Sequence, residues 1–155
     1  MTASIAAPVR VPQGRRPIAT VLLATDLSAA SEHATGRAIE VAVALRARLL
    51  VLNVLEHGRL DGFGAHARVD QARAEREGVL QGVVRRARDA GARCEFMLWA
   101  GEPSGSIVAV ADAEEADLIV AGTHGRARAG RLLLGSVSDH LVRSAHCPVM
   151  VVRSD

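Results

Sequence analysis

Short apolar runs alternate with segments of helical periodicity along almost the whole chain, and this alternation restricts the possible folds more than any other feature. Five runs are short, rich in apolar residues and bounded by polar residues or glycine, which is typical of strands buried on both faces. They span residues 17–25, 48–55, 92–100, 117–121 and 148–152. Strands that alternate with helices predict an α/β domain, in which helices cover both faces of a parallel sheet.

The segments between these runs have the periodicity of amphipathic helices. The first carries an apolar stripe made of Ala34, Ala38, Val41, Ala42 and Leu45. We predict a helix here, with Ser28 or Ser31 as its N-cap. Further helices are predicted over 69–90, from Pro103 onward and over 136–145. Residues 57–68 contain three glycines and are predicted to form a loop, of which 58–66 is either a lid over a ligand or only a connector.

The first sixteen residues differ in composition from the rest of the chain. They contain prolines and arginines, and they have no apolar segment long enough for a secretory signal. We therefore predict a flexible tail over 1–16, followed by one domain over 17–155. No stretch approaches the roughly 20 apolar residues that cross a bilayer, so we expect a cytoplasmic protein without membrane contact.

A glycine-rich junction joins the fourth predicted strand to the last predicted helix. Gly122-Thr123-His124-Gly125 is followed, after nine intervening residues, by Gly135-Ser136. The first N–H groups of a helix lack helical partners and the helix dipole is positive there, so this end favours an anion. Glycines let the backbone approach that anion and take positive φ values, which a branched residue such as valine at Gly135 would resist. The hydroxyls of Ser136 and Ser138 either donate to the anion or cap the helix. The junction predicts a phosphate-binding site.

Four sequence blocks, in the same order, give the chain a resemblance to the universal stress protein family. The glycine motif has the spacing of the ATP-binding members, in which Gly, two residues, Gly and nine residues precede Gly-Ser or Gly-Thr. The blocks are Thr25-Asp26-Leu27-Ser28, Asp117-Leu118-Ile119-Val120, Leu133-Leu134-Gly135-Ser136-Val137-Ser138 and Cys147-Pro148-Val149-Met150-Val151-Val152. The resemblance covers the chain from about residue 17 to its C-terminus.

This resemblance implies a five-stranded parallel sheet of order 3-2-1-4-5, as in Rossmann-like and adenine nucleotide α-hydrolase-like folds. Ligands of such sheets bind at the carboxyl ends of the strands, where the winding direction reverses. The reversal would bring Asp26 and Gly122 to one crevice. The resemblance also implies ATP, or else AMP or ADP, as the ligand. The residues then expected to line its site are Ala24, Thr25, Asp26, Val54, Ala121, Gly122, His124, Gly125, Arg126, Gly135, Ser136, Val137 and Ser138.

Two of these residues have distinct expected roles. The carboxylate of Asp26 either accepts hydrogen bonds from ribose hydroxyls, or holds Mg²⁺ beside the phosphates, or forms an Asx turn or helix cap. Val54 would offer backbone groups to the adenine edge, an assignment that rests on the resemblance alone. Arg126, Arg128 and Arg131 make the glycine-rich loop locally positive, which favours an anion nearby. The alternative is a solvated basic loop, and we favour it for Arg128 and Arg131 taken individually.

The composition argues against several other classes of protein. A formal charge of +2 and only three aromatic residues are unlike a dedicated nucleic-acid-binding protein, so no nucleic acid is expected as a partner. Every basic residue other than histidine is arginine, which excludes a P-loop lysine and a Schiff-base lysine. Cys94 and Cys147 lie far apart without a CxxC spacing, so we expect buried, reduced thiols.

The sequence also lacks a convincing catalytic or metal constellation. Ser138, Asp139 and His140 are triad residue types, but consecutive helical residues point about 100° apart and cannot converge. The histidines show no pairing typical of a zinc site. We predict no catalytic residue, no certain metal ligand and at most slow ATP hydrolysis, which leaves the enzyme question open.

The last predicted strand is apolar on both faces and lies at a sheet edge in the implied order. An exposed apolar edge strand promotes aggregation unless another chain covers it. Because members of the resembled family commonly dimerise through this strand, we expect a two-fold homodimer in which Val149, Met150, Val151 and Val152 pair antiparallel with the same residues of a second copy. A monomer whose tail covers the strand is the alternative.

The sequence favours an ATP-binding stress sensor or regulator whose shape or partners depend on the nucleotide. One alternative is a dimeric interaction protein of the same fold that binds no nucleotide. A second is an enzyme of the wider nucleotide α-hydrolase superfamily, such as a PP-loop ligase, but neither an SGGxDS-like nor an HIGH-like block is present.

Overall fold

The computed structural model describes residues 16–56, 65–123 and 134–154. These residues form five strands: β1 (Thr20–Ala24), β2 (Arg48–Leu55), β3 (Arg93–Ala100), β4 (Leu118–Gly122) and β5 (Val149–Val152). They also form four α-helices: α1 (Glu32–Leu45), α2 (Ala65–Asp89), α3 (Pro103–Ala113) and α4 (Ser136–Ser144). A short 3₁₀ turn (Ala29–Ser31) precedes α1.

The five strands form one parallel sheet of order β3-β2-β1-β4-β5, which confirms the predicted fold class and strand order. The chain runs outward from β1 through β2 to β3, then returns to the other side of β1 for β4 and β5. The winding direction therefore reverses between β1 and β4. In a sheet of this kind a crevice opens beyond the carboxyl ends of these two strands.

The sheet is buried on both faces because most positions of its central strands are apolar. All five residues of β1 are buried, so the side chains of Leu22 and Leu23 enter different cores on opposite faces. Leu23 packs in the core formed with α1 and α2, where Ala38 and Leu80 are fully buried. Leu22 packs in the other core with Ile107 of α3 and Leu141 of α4. Burial of an aliphatic side chain of this size contributes roughly 1.5–3 kcal/mol.

Two elements start at a position that differs from the sequence prediction by three residues or more. Strand β1 begins at Thr20 rather than at residue 17, and α2 begins at Ala65 rather than at residue 69. Part of the predicted loop, 65–68, is therefore helical, because its three glycines all precede Ala65 and nothing after them breaks a helix. Residues 57–64 lie outside the described residues. Neither Ser28 nor Ser31 makes a side-chain cap bond at the start of its helix.

Asp117, the residue before β4, connects the amino ends of β4 and β1 through hydrogen bonds. Its Oδ2 accepts hydrogen bonds from the N–H groups of Ala19 and Thr20 at 2.8 and 2.9 Å. Burial alone would raise the pKa of this carboxyl, but these two N–H groups and the charge of Arg16 outweigh burial and lower the pKa. The sequence reading assigned Asp117 only to a strand and missed this contact.

Both cysteines are free thiols, as the sequence predicts. Cys94 is buried, and burial raises the pKa of its thiol to about 11, so the thiol stays protonated at neutral pH. Cys147 is only partly buried, which departs from the expectation for this residue. Within the described ranges no helix combines the length and apolar character needed to cross a membrane.

Helix α3 begins with a cap that the sequence reading also missed. The carboxylate of Glu102 accepts hydrogen bonds from the N–H groups of Ser104 at 2.8 Å and Gly105 at 2.7 Å. The hydrogen bond from Gly105, followed by those from Ser104, lowers the pKa of Glu102 below its ordinary value of 4.5. Pro103 occupies the first turn, where its missing N–H costs nothing.

The lowered pKa of Glu102 predicts a pH-dependent contribution to stability. Such a carboxylate stabilises the fold above its unfolded-state pKa and loses this effect as the pH falls through its lower folded-state pKa. We expect Glu102→Gln to lower the free energy of unfolding near pH 7 by about 0.5 kcal/mol, at the low end for a cap because the group is exposed. Urea denaturation from pH 7 to pH 2.5 should show the difference shrinking toward zero. A difference independent of pH would contradict the assignment.

Candidate functional site

The carboxyl ends of β1 and β4 meet beside each other in the sheet. Ala24 and Ala121 are register partners across this pair of strands, and both are buried. Thr25 and Gly122, one residue further along each strand, therefore lie at the mouth of the crevice. The structure thus brings together two sequence blocks almost 100 residues apart, as the implied strand order predicts.

The amino end of α4 lies at the same edge of the sheet. The N–H group of Gly135 donates to Thr123 O at 2.6 Å, which holds the start of this helix against the residue that follows β4. Thr123 is held in turn by its own N–H, which donates to Val152 O at 2.9 Å. The first turn of α4 consequently stands directly beside the end of β4.

Helical hydrogen bonding in α4 starts with Asp139, whose N–H donates to Gly135 O at 2.9 Å. The three preceding N–H groups, those of residues 136–138, are the ones that a helix cannot satisfy internally. Gly135 occupies the N-cap position and has no side chain with which to cap these groups. This helix end therefore has the backbone donors and the dipole that favour an anion.

Gly135 does not have the positive φ that we expected of a glycine in this loop. Its φ of −63° and ψ of 160° lie in the extended region, which any residue adopts. The expectation that a branched residue here would be opposed by a positive φ is therefore wrong. What a glycine provides at this position is space, because an N-cap side chain lies over the N–H groups of the first turn.

The two serines of α4 have different surroundings. Ser136 is exposed at the first position of the helix. Ser138 is 2% exposed, and its Oγ lies 3.2 Å from Thr123 O and 3.1 Å from Gly135 O, so its hydroxyl proton is directed at these carbonyls. Ser138 thus ties together the two described ends of the glycine-rich segment. Its expected role as a phosphate donor stays a prediction.

The turn after β1 is shaped by Asp26 and Thr25. Asp26 Oδ1 accepts hydrogen bonds from the N–H of Ser28 at 3.0 Å and from its hydroxyl at 2.6 Å, which is an Asx turn. The N–H of Leu27 donates to Thr25 Oγ1 at 3.1 Å, and Leu27 has a left-handed φ of 62°. A left-handed φ is energetically unfavourable for leucine. The hydrogen bonds of the turn and the packing of Leu27 against the core compensate for this cost and hold the turn in one conformation.

The end of β2 carries a buried polar residue that the sequence reading did not single out. Asn53 is 1% exposed, and its Nδ2 donates to Thr25 O at 2.7 Å. Its Oδ1 accepts from Arg76 Nη1 of α2, also at 2.7 Å. The only signal in the sequence was an asparagine inside an apolar strand, which predicts a hydrogen-bonded buried amide but not its partners.

Val54 directs its carbonyl group toward the crevice. Leu52 O accepts from the N–H of Thr25, so the carbonyl groups of alternate residues, including that of Val54, face the β1 side of β2. Strand β1 ends at Ala24, and Val54 O therefore lies past the last rung of the ladder between these strands. The role of Val54 in offering a backbone group to a ligand stays a prediction.

The remaining predicted site residues, His124, Gly125 and Arg126, lie outside the described residues, as do Arg128 and Arg131. Among the residues that are described, no three His, Cys, Asp or Glu side chains cluster as metal ligands would. A separate cleft of about 380 Å³ lies between α2 and β3, on the far side of β2 from the crevice. It is lined by Gln81, Val84, Arg85, Arg88, Glu95 and Phe96.

The two interpretations of Asp26 predict different outcomes for Asp26→Ala. Loss of the Asx turn should lower the free energy of unfolding by about 1 kcal/mol, as for a lost cap. If the carboxylate also contacts ribose or Mg²⁺, nucleotide affinity should fall by about tenfold in protein that remains folded. Urea denaturation and calorimetric titration with AMP would separate the two effects. Unchanged affinity in the folded variant would leave Asp26 with the turn alone.

Comparison with known proteins agrees with this architecture. Residues 17–153 match the sequence model of the universal stress protein family. A universal stress protein of Methanocaldococcus jannaschii is 31% identical over 137 residues, which cover 86% of this chain and 81% of that protein. The universal stress protein UspA from Lactobacillus plantarum has the same fold, with a TM-score of 0.82 at 23% identity over 90% of this chain and all of its own.

A further universal stress protein, solved in complex with cAMP, is 29% identical and has a TM-score of 0.72. The similarity covers 90% of this chain and 100% of that one. The family match thus spans most of the chain and includes both the β1 and the β4–α4 segments of the crevice. The chain therefore belongs to the universal stress protein family.

Proposed function

We propose that this protein binds an adenine nucleotide, ATP or AMP, in the crevice beyond β1 and β4, and that it acts as a nucleotide-dependent regulator in a stress response. The observation that carries the proposal is the amino end of α4, whose N–H groups at 136–138 precede the first helical hydrogen bond. Such a group of donors with a positive dipole suits a phosphate. The similar universal stress protein solved with cAMP supports an adenine nucleotide as the ligand.

The crevice offers complementary groups for the rest of a nucleotide. Phosphate oxygens would accept from the amides of Ser136, Val137 and Ser138, and the Ser136 hydroxyl is exposed beside them. Asp26 lies at the end of β1, where its carboxylate would contact ribose hydroxyls or Mg²⁺ bridged to phosphate. Val54 O would accept a hydrogen bond from the base. If Mg²⁺ is bound, its chemistry is to neutralise the phosphates, with oxygen ligands from Asp26 and the nucleotide.

A binding role fits these groups better than efficient hydrolysis. The given sequence has no lysine, and those predicted crevice residues that the structure describes include no His or Glu that could act as a general base on a water. We therefore propose that bound nucleotide is a signal, hydrolysed slowly at most. A dimeric interaction protein without a ligand remains the second candidate.

Nucleotide that co-purifies with the protein would test the proposal. Acid extraction of protein purified without added nucleotide, followed by chromatography of the supernatant, should release AMP, ADP or ATP in an amount approaching one per chain. Gly135→Val protein prepared in the same way serves as the control and should release none. Protein that carries no adenine nucleotide and acquires none on incubation would favour the interaction protein instead.

We also propose that β5 forms the interface of a two-fold homodimer. This strand is at the edge of the sheet, and all four of its residues are only partly buried in the single chain. Antiparallel pairing with a second copy would satisfy the free backbone edge and cover the apolar side chains. Light scattering at micromolar concentration should give twice the mass of one chain, and Val151→Pro should reduce it to one. A wild-type monomer would refute the interface.

A further inference from the structure

Strand β3 forms the edge of the sheet opposite to β5, and in the part of the chain that the structure describes it has a neighbouring strand on one side only. Its register with β2 is continuous over all eight of its residues. The N–H of Gly101, just past β3, donates to Leu55 O of β2 at 3.0 Å. Because backbone groups alternate between the two sides of a strand, the N–H and C=O groups of Phe96 and Leu98 face the free edge.

Arg88 of α2 occupies one end of this free edge. The same alternation directs the carbonyl group of Cys94 at the edge, and Arg88 Nε and Nη2 donate to its oxygen at 3.1 and 2.9 Å. This contact places a guanidinium group at the amino end of the edge. Among the described residues, no side chain makes an equivalent contact with Phe96 or Leu98. These two positions therefore present backbone donors and acceptors to an incoming strand.

Helix α2 lines this edge with the cleft of about 380 Å³. Gln81, Arg85 and Arg88 follow one another at spacings of four and three, so they lie on one flank of the helix, and all three are exposed. Below them, Val84 is buried and Phe96 is partly buried, so the floor of the cleft is apolar.

The cleft carries an excess of positive charge. Neither Arg85 nor Arg88 forms an ion pair with a carboxylate of the described residues, and this includes Asp89, which lies one turn after Arg85. Glu95 also lines the cleft, but its carboxylate already binds Arg48 at 2.7 Å. Two cations beside an apolar floor are complementary to a ligand that carries both carboxylates and apolar groups.

The other face of the same edge is apolar. The side chains of a strand alternate between its faces, so Met97 and Trp99 lie on the face opposite to that of Phe96. Met97 packs in the core on the α3 side of the sheet, and Trp99 is 46% exposed. A strand added to β3 would thus place alternate side chains beside the two arginines and beside Trp99.

Two occupants from this chain itself fit the cleft poorly. The first sixteen residues contain three arginines and no acidic residue, so their charge has the same sign as that of the cleft. A second copy that paired antiparallel through β3 would bring its own Arg85 into the same groove, which is unfavourable for the same reason.

We propose that the free edge of β3 and the cleft beside α2 bind an extended segment of a partner protein in which acidic and apolar residues alternate. The segment adds a strand to the sheet, with its carboxylates toward Arg85 and Arg88 and its apolar side chains toward Trp99. This site lies on the far side of β2 from the crevice, and it does not depend on the proposed nucleotide.

Fluorescence anisotropy with a labelled synthetic peptide in which glutamate and valine alternate tests the charge requirement. We expect the full-length protein to bind it at least about tenfold more tightly than a peptide in which lysine replaces glutamate. Arg85→Glu should abolish this preference. Arg86→Glu is the matched control, because Arg86 is the next residue, undergoes the same change of charge and pairs with Glu32 of α1. It should keep the preference.

Amide hydrogen exchange measured by NMR tests the strand addition. Saturating glutamate–valine peptide should slow exchange of the N–H groups of Phe96 and Leu98 by at least about tenfold. The N–H of Met97, which faces β2, should exchange at an unchanged rate. This readout separates backbone pairing from a charge contact alone.

The outcomes decide the proposal without any nucleotide present. A preference that is lost in Arg85→Glu and kept in Arg86→Glu, together with protection at Phe96 and Leu98, would support it. Binding of neither peptide would overturn it and would mean that the arginines only guard the edge against pairing. Equal binding of both peptides, or binding without protection, would also overturn it. Protection of Phe96 and Leu98 before the peptide is added would show that the chain's own tail or a second copy occupies the edge instead.

Discussion

Gly135→Val should reduce adenine nucleotide affinity by about 100-fold or more, which corresponds to about 2.7 kcal/mol, while the fold is retained. The valine adopts the extended conformation of Gly135 (φ −63°, ψ 160°) without strain. Its methyl groups would then lie over the N–H groups of the first turn of α4, where an N-cap side chain is found and where a phosphate would bind. Calorimetric titration with AMP, together with circular dichroism, measures both parts of the prediction.

Two matched variants sharpen this experiment. Gly135→Ser places a hydroxyl over the same N–H groups, so we expect it to stabilise α4 and yet weaken nucleotide binding, because the serine competes with the phosphate for these donors. Gly36→Ala adds a methyl group to α1 in open space and should leave affinity unchanged. Wild-type affinity in Gly135→Val would show that the phosphate does not bind at this helix end.

Leu141→Ala should lower the free energy of unfolding by about 3 kcal/mol. Leu141 is fully buried on the face of α4 that packs against the sheet, in the same core as Leu22 and Ile119. The truncated side chain loses its transfer free energy and leaves a cavity, since the sheet and α3 prevent the core from collapsing into it. Urea denaturation should show a lower midpoint with an unchanged slope.

The neighbouring residue provides the control for this substitution. Val142 points about 100° away from Leu141 around α4 and is 51% exposed, so Val142→Ala should change the free energy of unfolding by less than about 0.5 kcal/mol. Equal effects of the two substitutions would mean that α4 is not held on the sheet by Leu141. The N–H groups at its start would then lack the fixed position that the proposed site requires.

Periodicity alone located most of the fold. The apolar runs of β2, β4 and β5 and the stripe of α1 are set by local composition, and the structure has them within a residue or two of their predicted bounds. The sequence analysis predicted the start of α2 four residues too late. The glycines before Ala65 indicate a loop, and the first turn of the helix carries no strong N-terminal signal of its own. The strand order came from the family resemblance, since periodicity does not say which strands are neighbours.

The candidate site was predictable where one short segment carries the chemistry and not where distant residues meet. The glycine spacing predicted the helix end at Gly135, and the strand order implied by the family resemblance predicted which strand ends lie beside it. The contact of Arg76 with Asn53 joins residues 23 positions apart on different elements, so no local pattern indicates it. The cap formed by Glu102 is local, but glutamate is not one of the residue types preferred at an N-cap, so the sequence carried no clear signal for it.

Calorimetric titration of nucleotide-free wild-type protein with ATP and Mg²⁺, and then with AMP, tests the central claim most directly. We predict saturable binding of one nucleotide per chain, with ADP competing for the same site. Absence of binding heat for both ligands, with no displacement of a fluorescent adenine nucleotide in a parallel assay, would contradict the claim that the start of α4 and the end of β1 form a nucleotide site.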